Sequence, residues 1–450
     1  MSSVATRAEE EERLDALLNS FRDRFRVPAE VVARAPGRVN LIGEHTDYNG
    51  FPVLPMAIER SVLVAASGRE KSRVELANAD PSFPPRAYEL VFPLAPSPPG
   101  DWCNYHKAAL QGLYPEIPSV RGGRYLVEGN VPPGAGLSSS SALVVASGLA
   151  FLALHGVATR PERLAELLAE AERYVGTRSG GMDQAVSLLG REGHALRIDF
   201  FPLRARPVPF PDGVRVVVCH SLVRAEKSGA ARDAYNLRVF ECAVGARVFG
   251  FLARRELGEF PRLLGDLPGL LPDWSLEEFV RFFEEAIPDA PLGLDEIARL
   301  AGATPEEVVR GLEIPAKLPA KIPLLRRVRH VLREARRVEL AEECLRAGDA
   351  ETFGRLMYES HVSLARDYEV SSAELDDLVS IGRDAGAPGG RLTGAGFGGC
   401  TVHLVREDGL SRFLAEVDRR FYEPRLGGSA EYPRFVFSPR QGAWVRRLRG

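Results

Sequence analysis

At 450 residues the chain is long enough for two or three domains, and its 45% hydrophobic and 26% charged residues match a globular enzyme. A formal charge of -3 offers no general attraction to nucleic acid or to an anionic membrane. Its five cysteines are scattered with no C-x-x-C pair, which argues for a reducing compartment and against a zinc site or a disulfide framework.

The opening residues run into the acidic cluster Glu9 to Glu12, the opposite of a secretory leader, and no apolar run approaches the roughly 20 residues of a membrane span. A cytoplasmic protein is expected. Residues 7–26 carry Leu14, Leu17, Leu18 and Phe21 at helical spacing and predict an amphipathic helix. Val31 to Val39 and Val62 to Ala66 predict strands on either side of a charged turn. That turn, Arg38-Val-Asn-Leu-Ile-Gly-Glu-His-Thr-Asp-Tyr-Asn-Gly50, concentrates Arg38, Glu44, His45 and Asp47, and the apolar run Val53 to Ile58 follows it. A sugar presents hydroxyls at fixed angles, and carboxylates with an arginine read such a pattern. The stretch is therefore either the wall of a polyol pocket or a solvated turn.

Residues 80–101 are proline-rich and predict an irregular connection. Tyr125 to Val131 predicts a strand, and Val131-Pro-Pro-Gly-Ala-Gly-Leu-Ser-Ser-Ser-Ser-Ala142 leads from it into a helix ending near Leu154. Small residues let a backbone approach closely there, and the free N–H groups and dipole of the helix start favour an anion. The hydroxyls of Ser138 to Ser141 suit phosphate oxygens or a magnesium ion, against the alternative of a serine-rich helix cap. No Gly-Lys-Ser/Thr closes the loop, so it is not a Walker A sequence. A second helix is expected from Pro161 to about Tyr174. In Glu172-Arg-Tyr-Val-Gly-Thr-Arg-Ser-Gly-Gly-Met-Asp-Gln184, Asp183 lies just past two glycines, as a base in a tight turn or as a simple turn former.

Val214 to Cys219 predicts a strand and Tyr235 to Leu252 a helix. Residues 256–325 change character, with prolines and short helical pieces, and read as an elaboration of the second domain. Arg326 to Arg337 is strongly basic, but Val328, Val331, Leu332 and Val338 recur helically, which favours a solvated helix face over a nucleic-acid contact. Gly394-Ala-Gly-Phe-Gly-Gly399 formally matches G-x-G-x-x-G. A dinucleotide fingerprint must open a helix, whereas Cys400 to Val405 alternates like a strand, so that reading fails. A protein-kinase glycine loop fails too, for want of an H-R-D-x-x-x-x-N or D-F-G set. A loop facing a nucleotide from the other domain remains.

Arg38 to Ile58, Pro132 to Ala142, Gly180 to Gln184 and Arg391 to Cys400 together resemble the GHMP small-molecule kinases, and within them the galactokinase branch. The resemblance implies an α/β (α+β) fold of two domains with the active site in the cleft between them. Its expected divisions are an N-terminal helix at 1–30, an N-terminal domain at 31–215 and a C-terminal domain at 216–450. It implies transfer of the ATP γ-phosphoryl group to the anomeric hydroxyl of a sugar, with ATP and Mg²⁺ as the cofactors and no nucleic-acid or membrane partner. A monomer is expected.

By family pattern Asp183 is the catalytic carboxylate and Arg38 pairs with it. Glu44, His45 and Asp47 hold the sugar hydroxyls, with Gly181 and Tyr235 completing the pocket; for Tyr235 an ordinary core role is the alternative. Gly134, Gly136, Leu137, Ser138, Ser139, Ser140 and Ser141 fall in the phosphate loop. Trp102 and Asn104 fall where the family builds its adenine pocket, although a core tryptophan is an equal reading. Ser140 and Glu172 resemble the magnesium ligands, against a surface role for Glu172 in its glutamate-rich helix. Many galactokinases have Cys-Gly-Ile-Met-Asp around the aspartate where this chain has Gly-Gly-Met-Asp. Galactose is the expected sugar. The alternatives are an N-acetylgalactosamine 1-kinase and a non-catalytic sugar and ATP sensor.

Overall fold

The structure is a computed structural model that describes residues 7–69, 71–176, 180–223, 230–253, 260–428 and 431–448. Helix α1 (Arg7–Phe25) leads to β1 (Val31–Asn40) and β2 (Pro55–Gly68), which pair antiparallel across an irregularity between Pro36 and Arg38. β3 (Arg73–Asn78), β4 (Arg86–Glu89), α2 (Cys103–Leu113) and β5 (Gly123–Gly129) follow. β4 lies inside the stretch expected to be irregular. It is a four-residue strand at the sheet edge, where flanking prolines cost no ladder hydrogen bond.

Next come α3 (Ser139–Leu154), α4 (Pro161–Ala171), α5 (Met182–Leu189) and the paired strands β6 (His194–Asp199) and β7 (Arg204–Pro209). The serines open α3 rather than preceding it. The last residues of the segment read as α4 form a separate short turn, Glu172–Val175. Thr177, Arg178 and Ser179, part of the turn before Asp183, lie outside the described residues.

The second half comprises β8 (Val214–His220), α6 (Ala230–Leu252), the short helices α7 (Leu267–Leu270), α8 (Leu276–Ala286), α9 (Leu294–Ala301) and α10 (Pro305–Val309), then α11 (Leu324–Ala347), α12 (Ala350–Arg366) and α13 (Ala373–Asp384). It ends in β9 (Gly389–Thr393), β10 (Cys400–Arg406), β11 (Arg434–Phe437) and β12 (Trp444–Arg447).

Two larger sheets organise the molecule, ordered β12-β1-β2-β5-β3-β4 and β11-β8-β10-β9. The second begins at β8, beside the expected division at 215. The chain end does not stay with it, because β12 returns to pair with β1 in the first sheet.

Every residue of β1 is buried because helices cover both faces of the sheet. On one face Leu14, Leu17 and Phe21 of α1 pack on Val32, Leu63 and Ala65. On the other, Val31, Ala33 and Val64 meet Val144 and Phe151 of α3. Burying each large side chain contributes about 1.5–3 kcal/mol. A third apolar cluster joins Val39, Leu41 and Ile42 to Val216, Val338 and Phe353, so the two sheets share one interior at the level of the charged turn. Helices α8 to α10 pack through Phe279, Phe283, Ile297 and Val308 against Phe249 of α6 and Val328 of α11.

The basic stretch 326–337 lies in α11. Its arginines are not simply a solvated face, since Arg327 is buried against Glu241 and Glu369 and Arg337 is buried against Glu334. Arg326, Arg329, Arg333 and Arg336 each have acidic partners, which neutralises the run.

Candidate active site

The charged turn leaves β1, makes a short helical turn at Asp47–Asn49 and returns as β2. Gly37 lets the serine loop approach: a Cβ there would stand 2.8 Å from the Leu137 carbonyl oxygen, and the Arg38 N–H donates to that oxygen at 3.1 Å. His45 has a left-handed backbone (φ 64°), uncommon for a non-glycine residue and typical of constrained sites. Burial, reinforced by the positive charge of Arg238, drives its pKa well below the ordinary histidine value, so the ring is neutral. Its Nε2 faces the Ala395 carbonyl oxygen at 3.2 Å and must be the protonated nitrogen. Nδ1 then accepts from the Tyr48 hydroxyl at 2.9 Å, which in turn meets the Tyr368 hydroxyl at 2.7 Å.

Asp183 sits in the first turn of α5. Its Oδ1 accepts from Arg38 Nε at 2.8 Å, with Arg38 Nη2 also 2.8 Å away. Its Oδ2 accepts from Ser138 Oγ at 2.5 Å and Ser141 Oγ at 3.4 Å. Arg38 Nη1 donates to the Gly136 carbonyl at 2.5 Å, which ties the phosphate loop to the same arginine. Asp47 joins from the turn, its Oδ2 accepting from the Gly180 N–H at 3.0 Å. Burial, followed by the nearby Asp183 charge, raises the Asp47 pKa to about 6.

The turn before Asp183 therefore rests on the charged turn. A Cβ on Gly180 would lie 2.4 Å from the Asp47 carbonyl carbon and 2.5 Å from the Tyr48 nitrogen, both backbone atoms that cannot step aside. Gly180→Ala is expected to lower kcat/KM at least about tenfold and to reduce the melting temperature, because the added methyl moves both carboxylates. Steady-state kinetics and thermal melts check this.

These groups open onto one cavity of about 540 Å³. Arg38, Glu44, His45, Asp47, Asp183 and Tyr235 line one end, and Gly134, Gly136, Ser138, Ser139 and Ser140 line the middle. Trp102, Phe83, Tyr105 and Val127 form an apolar end. Gly394, Ala395 and Gly396 also line the cavity, packed against the charged turn and the serine loop: the Gly394 N–H donates to Glu44 Oε1 at 2.7 Å, and a Cβ on Gly394 would stand 3.1 Å from the Gly136 carbonyl oxygen. Polyol readers, an anion-binding helix start and an aromatic slot thus share one cleft. The arrangement offers groups for a sugar, a phosphate chain and a planar base within one cleft.

Five expected residues are not on the wall. Leu137 turns its side chain into the apolar cluster with Val39 and Val131, so only its backbone belongs to the loop. Gly181 caps α5 in a left-handed conformation, its missing Cβ facing Ala169 rather than the cavity. Asn104 is committed to the connection behind the slot, accepting from Ser97 N at 2.8 Å and donating to the carbonyls of Ser97 and Pro98 at 3.0 and 3.1 Å. Glu172 is buried in the Glu172–Val175 turn, off the cavity wall and not on a surface helix. Ser141 touches Asp183 and lies below the wall. Trp102 serves both readings, buried with Nε1 donating to the Pro84 carbonyl at 3.0 Å while lining the slot.

The sequence reading missed Asn78, Asp80, Phe83 and Tyr105 at the slot, and Arg232 beside Tyr235. The signal for the first group was faint, since Asn78 ends β3, Asp80 and Phe83 lie between β3 and β4, and Tyr105 sits in α2, so no single local motif joins them.

Comparison with known proteins bears on the same segments. Residues 19–68 match the galactokinase galactose-binding signature, residues 104–191 the N-terminal domain of the GHMP kinases and residues 341–423 their C-terminal domain. The chain is 35% identical over 431 residues to a galactokinase of Dictyostelium discoideum, covering 86% of this chain and 83% of that one. It is 38% identical over 404 residues to a galactokinase of Chloroflexus aggregans, covering 89% and 90%. The crystal structure of Lactococcus lactis galactokinase complexed with galactose aligns with a TM-score of 0.76 at 28% identity, covering 97% of this chain and 100% of that one. A mevalonate kinase, at 17% identity and a TM-score of 0.56, shares the fold.

Proposed function

The chain belongs to the galactokinase family of the GHMP kinases and is an ATP-dependent sugar kinase, and from that premise we propose how its own residues carry the reaction. The enzyme transfers the γ-phosphoryl group of ATP to the anomeric hydroxyl of galactose. The observation that supports the assignment of roles is the Asp183–Arg38 pair at 2.8 Å, standing between the polyol turn and the serine loop.

Glu44, His45, Asp47 and Tyr235 hold the sugar so that its anomeric hydroxyl meets Asp183. As the new O–P bond forms and the bond from the γ-phosphorus to the bridging oxygen breaks, the hydroxyl proton passes to Asp183 and ADP leaves. Donors on both of its oxygens make this carboxylate a restrained base. Orientation and charge stabilisation therefore matter as much as proton removal, as suits a loose phosphoryl-transfer transition state. The first-turn N–H groups of α3 and the hydroxyls of Ser139 and Ser140 receive the phosphates, and the Trp102–Phe83 slot takes the base.

The oxygen donors Ser140 and Glu172 suit a hard Mg²⁺ ion, which keeps water and nucleotide phosphates among its ligands. Among the described residues no cluster of three His, Cys, Asp or Glu side chains provides an all-protein cage. Ser140, on the wall, is the proposed direct ligand, and the ion when bound neutralises charge on the phosphates. Ser140→Ala is expected to raise the Mg²⁺ concentration for half-maximal rate about tenfold, and Glu172→Gln to raise it less. A metal titration at saturating ATP measures both.

A cytoplasmic monomer completes the reading. Among the described residues no helix is long and apolar enough to cross a membrane, and the five cysteines are unpaired. The test of function is a panel of sugars with ATP, the phosphorylated position being read by NMR. Galactose 1-phosphate is expected. No turnover of galactose would overturn the reading, and a strong preference for N-acetylgalactosamine would reassign the substrate.

A further inference from the structure

Helix α11 turns one stripe of residues toward the back of the sugar turn, at positions 330, 334 and 338, successive i,i+4 neighbours. Glu334 and His330 are both fully buried. The Gly43 N–H donates to Glu334 Oε1 at 2.9 Å, and His330 Nε2 lies 3.2 Å from the Glu44 carbonyl oxygen. A Cβ on Gly43 would come within 2.8 Å of Val338 Cγ2, so the turn is seated directly on the helix. The bonds to His330 and Glu334 bracket the Gly43–Glu44 pair.

The protonation states of both residues suit this task. Burial opposes the Glu334 charge, but Arg337, His330, Arg391 and the Ser360 hydroxyl outweigh it and hold the carboxyl at about 2. Burial lowers His330 to about 4, so it is neutral. A carbonyl can only accept, which places the ring proton on Nε2 and leaves Nδ1 to accept from Ser363 Oγ at 2.9 Å. The Glu44 side chain is pinned as well. Its Oε1 accepts from the Gly394 N–H at 2.7 Å and pairs with the buried Arg391 at 3.2 Å, while its second oxygen takes part in neither contact.

We propose that His330 and Glu334 are positioning residues for the sugar, clamping the Gly43–Glu44 backbone so that the second carboxylate oxygen of Glu44 meets a galactose hydroxyl. The inference rests on the galactokinase reading and on Glu44 as a sugar ligand. Neither residue touches the sugar. Both act through the turn, which joins sugar affinity to the seating of α11 and leaves nucleotide affinity independent of it.

Kinetics on the full chain test this, with each variant assayed well below its melting temperature. His330→Leu and Glu334→Gln are expected to raise KM for galactose about tenfold while KM for ATP stays within twofold. His330→Gln, which retains an N–H donor, is expected to recover part of the loss. Val331→Ala removes buried apolar contacts from the same helix and is expected to lower the melting temperature without moving either KM. A galactose KM within twofold of wild type in both Glu334→Gln and His330→Leu, or a matching rise in Val331→Ala, would overturn the proposal. If His330→Leu does not fold, Glu334→Gln against Val331→Ala decides it. Failure of the galactokinase reading would look different, because the wild-type chain itself would leave galactose unphosphorylated.

Discussion

Asp183→Ala is expected to lower kcat by about 10³-fold while galactose binding, measured by calorimetry, changes by less than about tenfold. The carboxylate is the acidic group joined to both the arginine and the serine loop, and its loss removes the acceptor for the hydroxyl proton and the partner that orients Arg38. The same change carries a stability cost. Arg38 is 4% exposed, and stripping its partner leaves a buried guanidinium whose charge is uncompensated, at about 3 kcal/mol. Replacing both partners in Arg38→Met/Asp183→Ala should restore most of the melting temperature without restoring turnover. A kcat within tenfold of wild type in Asp183→Ala would remove the aspartate from its assigned role.

The second large effect concerns Asp47. Its carboxyl titrates near 6 instead of 3.8 because it is buried and stands beside Asp183. The folded protein therefore binds this proton more tightly than the unfolded chain does. Stability attributable to Asp47 falls as pH rises from about 3.8 to 6, and above 6 the charge carries its full cost, about 3 kcal/mol from the roughly two-unit shift. Asp47→Asn removes that cost. The variant should melt higher than wild type at pH 8, and the gap should close as pH falls toward 4. Catalysis should move the other way, with kcat/KM for galactose falling ten- to a hundredfold, because a charged acceptor for a sugar hydroxyl is replaced by a neutral amide. Melting curves across pH and kinetics at pH 8 test the two halves separately. A variant no more stable than wild type at pH 8 would show that the charge at 47 is not held at a cost.

Much of this site was legible before any fold was known, and the parts that were not share a cause. The charged turn, the serine loop and the reversed glycine loop are local patterns whose side-chain types and spacing marked them as candidates, each with a structural alternative beside it. Asn104 and Glu172 were placed by their position in a motif, yet Asn104 is drawn away by the Ser97 and Pro98 backbone and Glu172 lies under the wall. His330 and Glu334 gave no signal at all. They sit in a basic amphipathic helix, and only contact with Gly43 and Glu44 gives them a task.

The order of amino acids by itself determined the family, through local motifs whose residue types and short-range spacing the chain carries with it. The roles proposed for Asp183 and Arg38 came with that resemblance, because the aspartate taken alone also reads as a turn former. The tertiary structure decided which groups meet. Arg38 reaches Asp183 across 145 residues and Asp47 reaches Gly180 across 133, and the raised pKa of Asp47 exists only because burial brings two carboxylates together. Burial and partner choice are properties of the packed interior, where each polar group must find a hydrogen bond from whatever the fold places beside it. No local pattern specifies that neighbour.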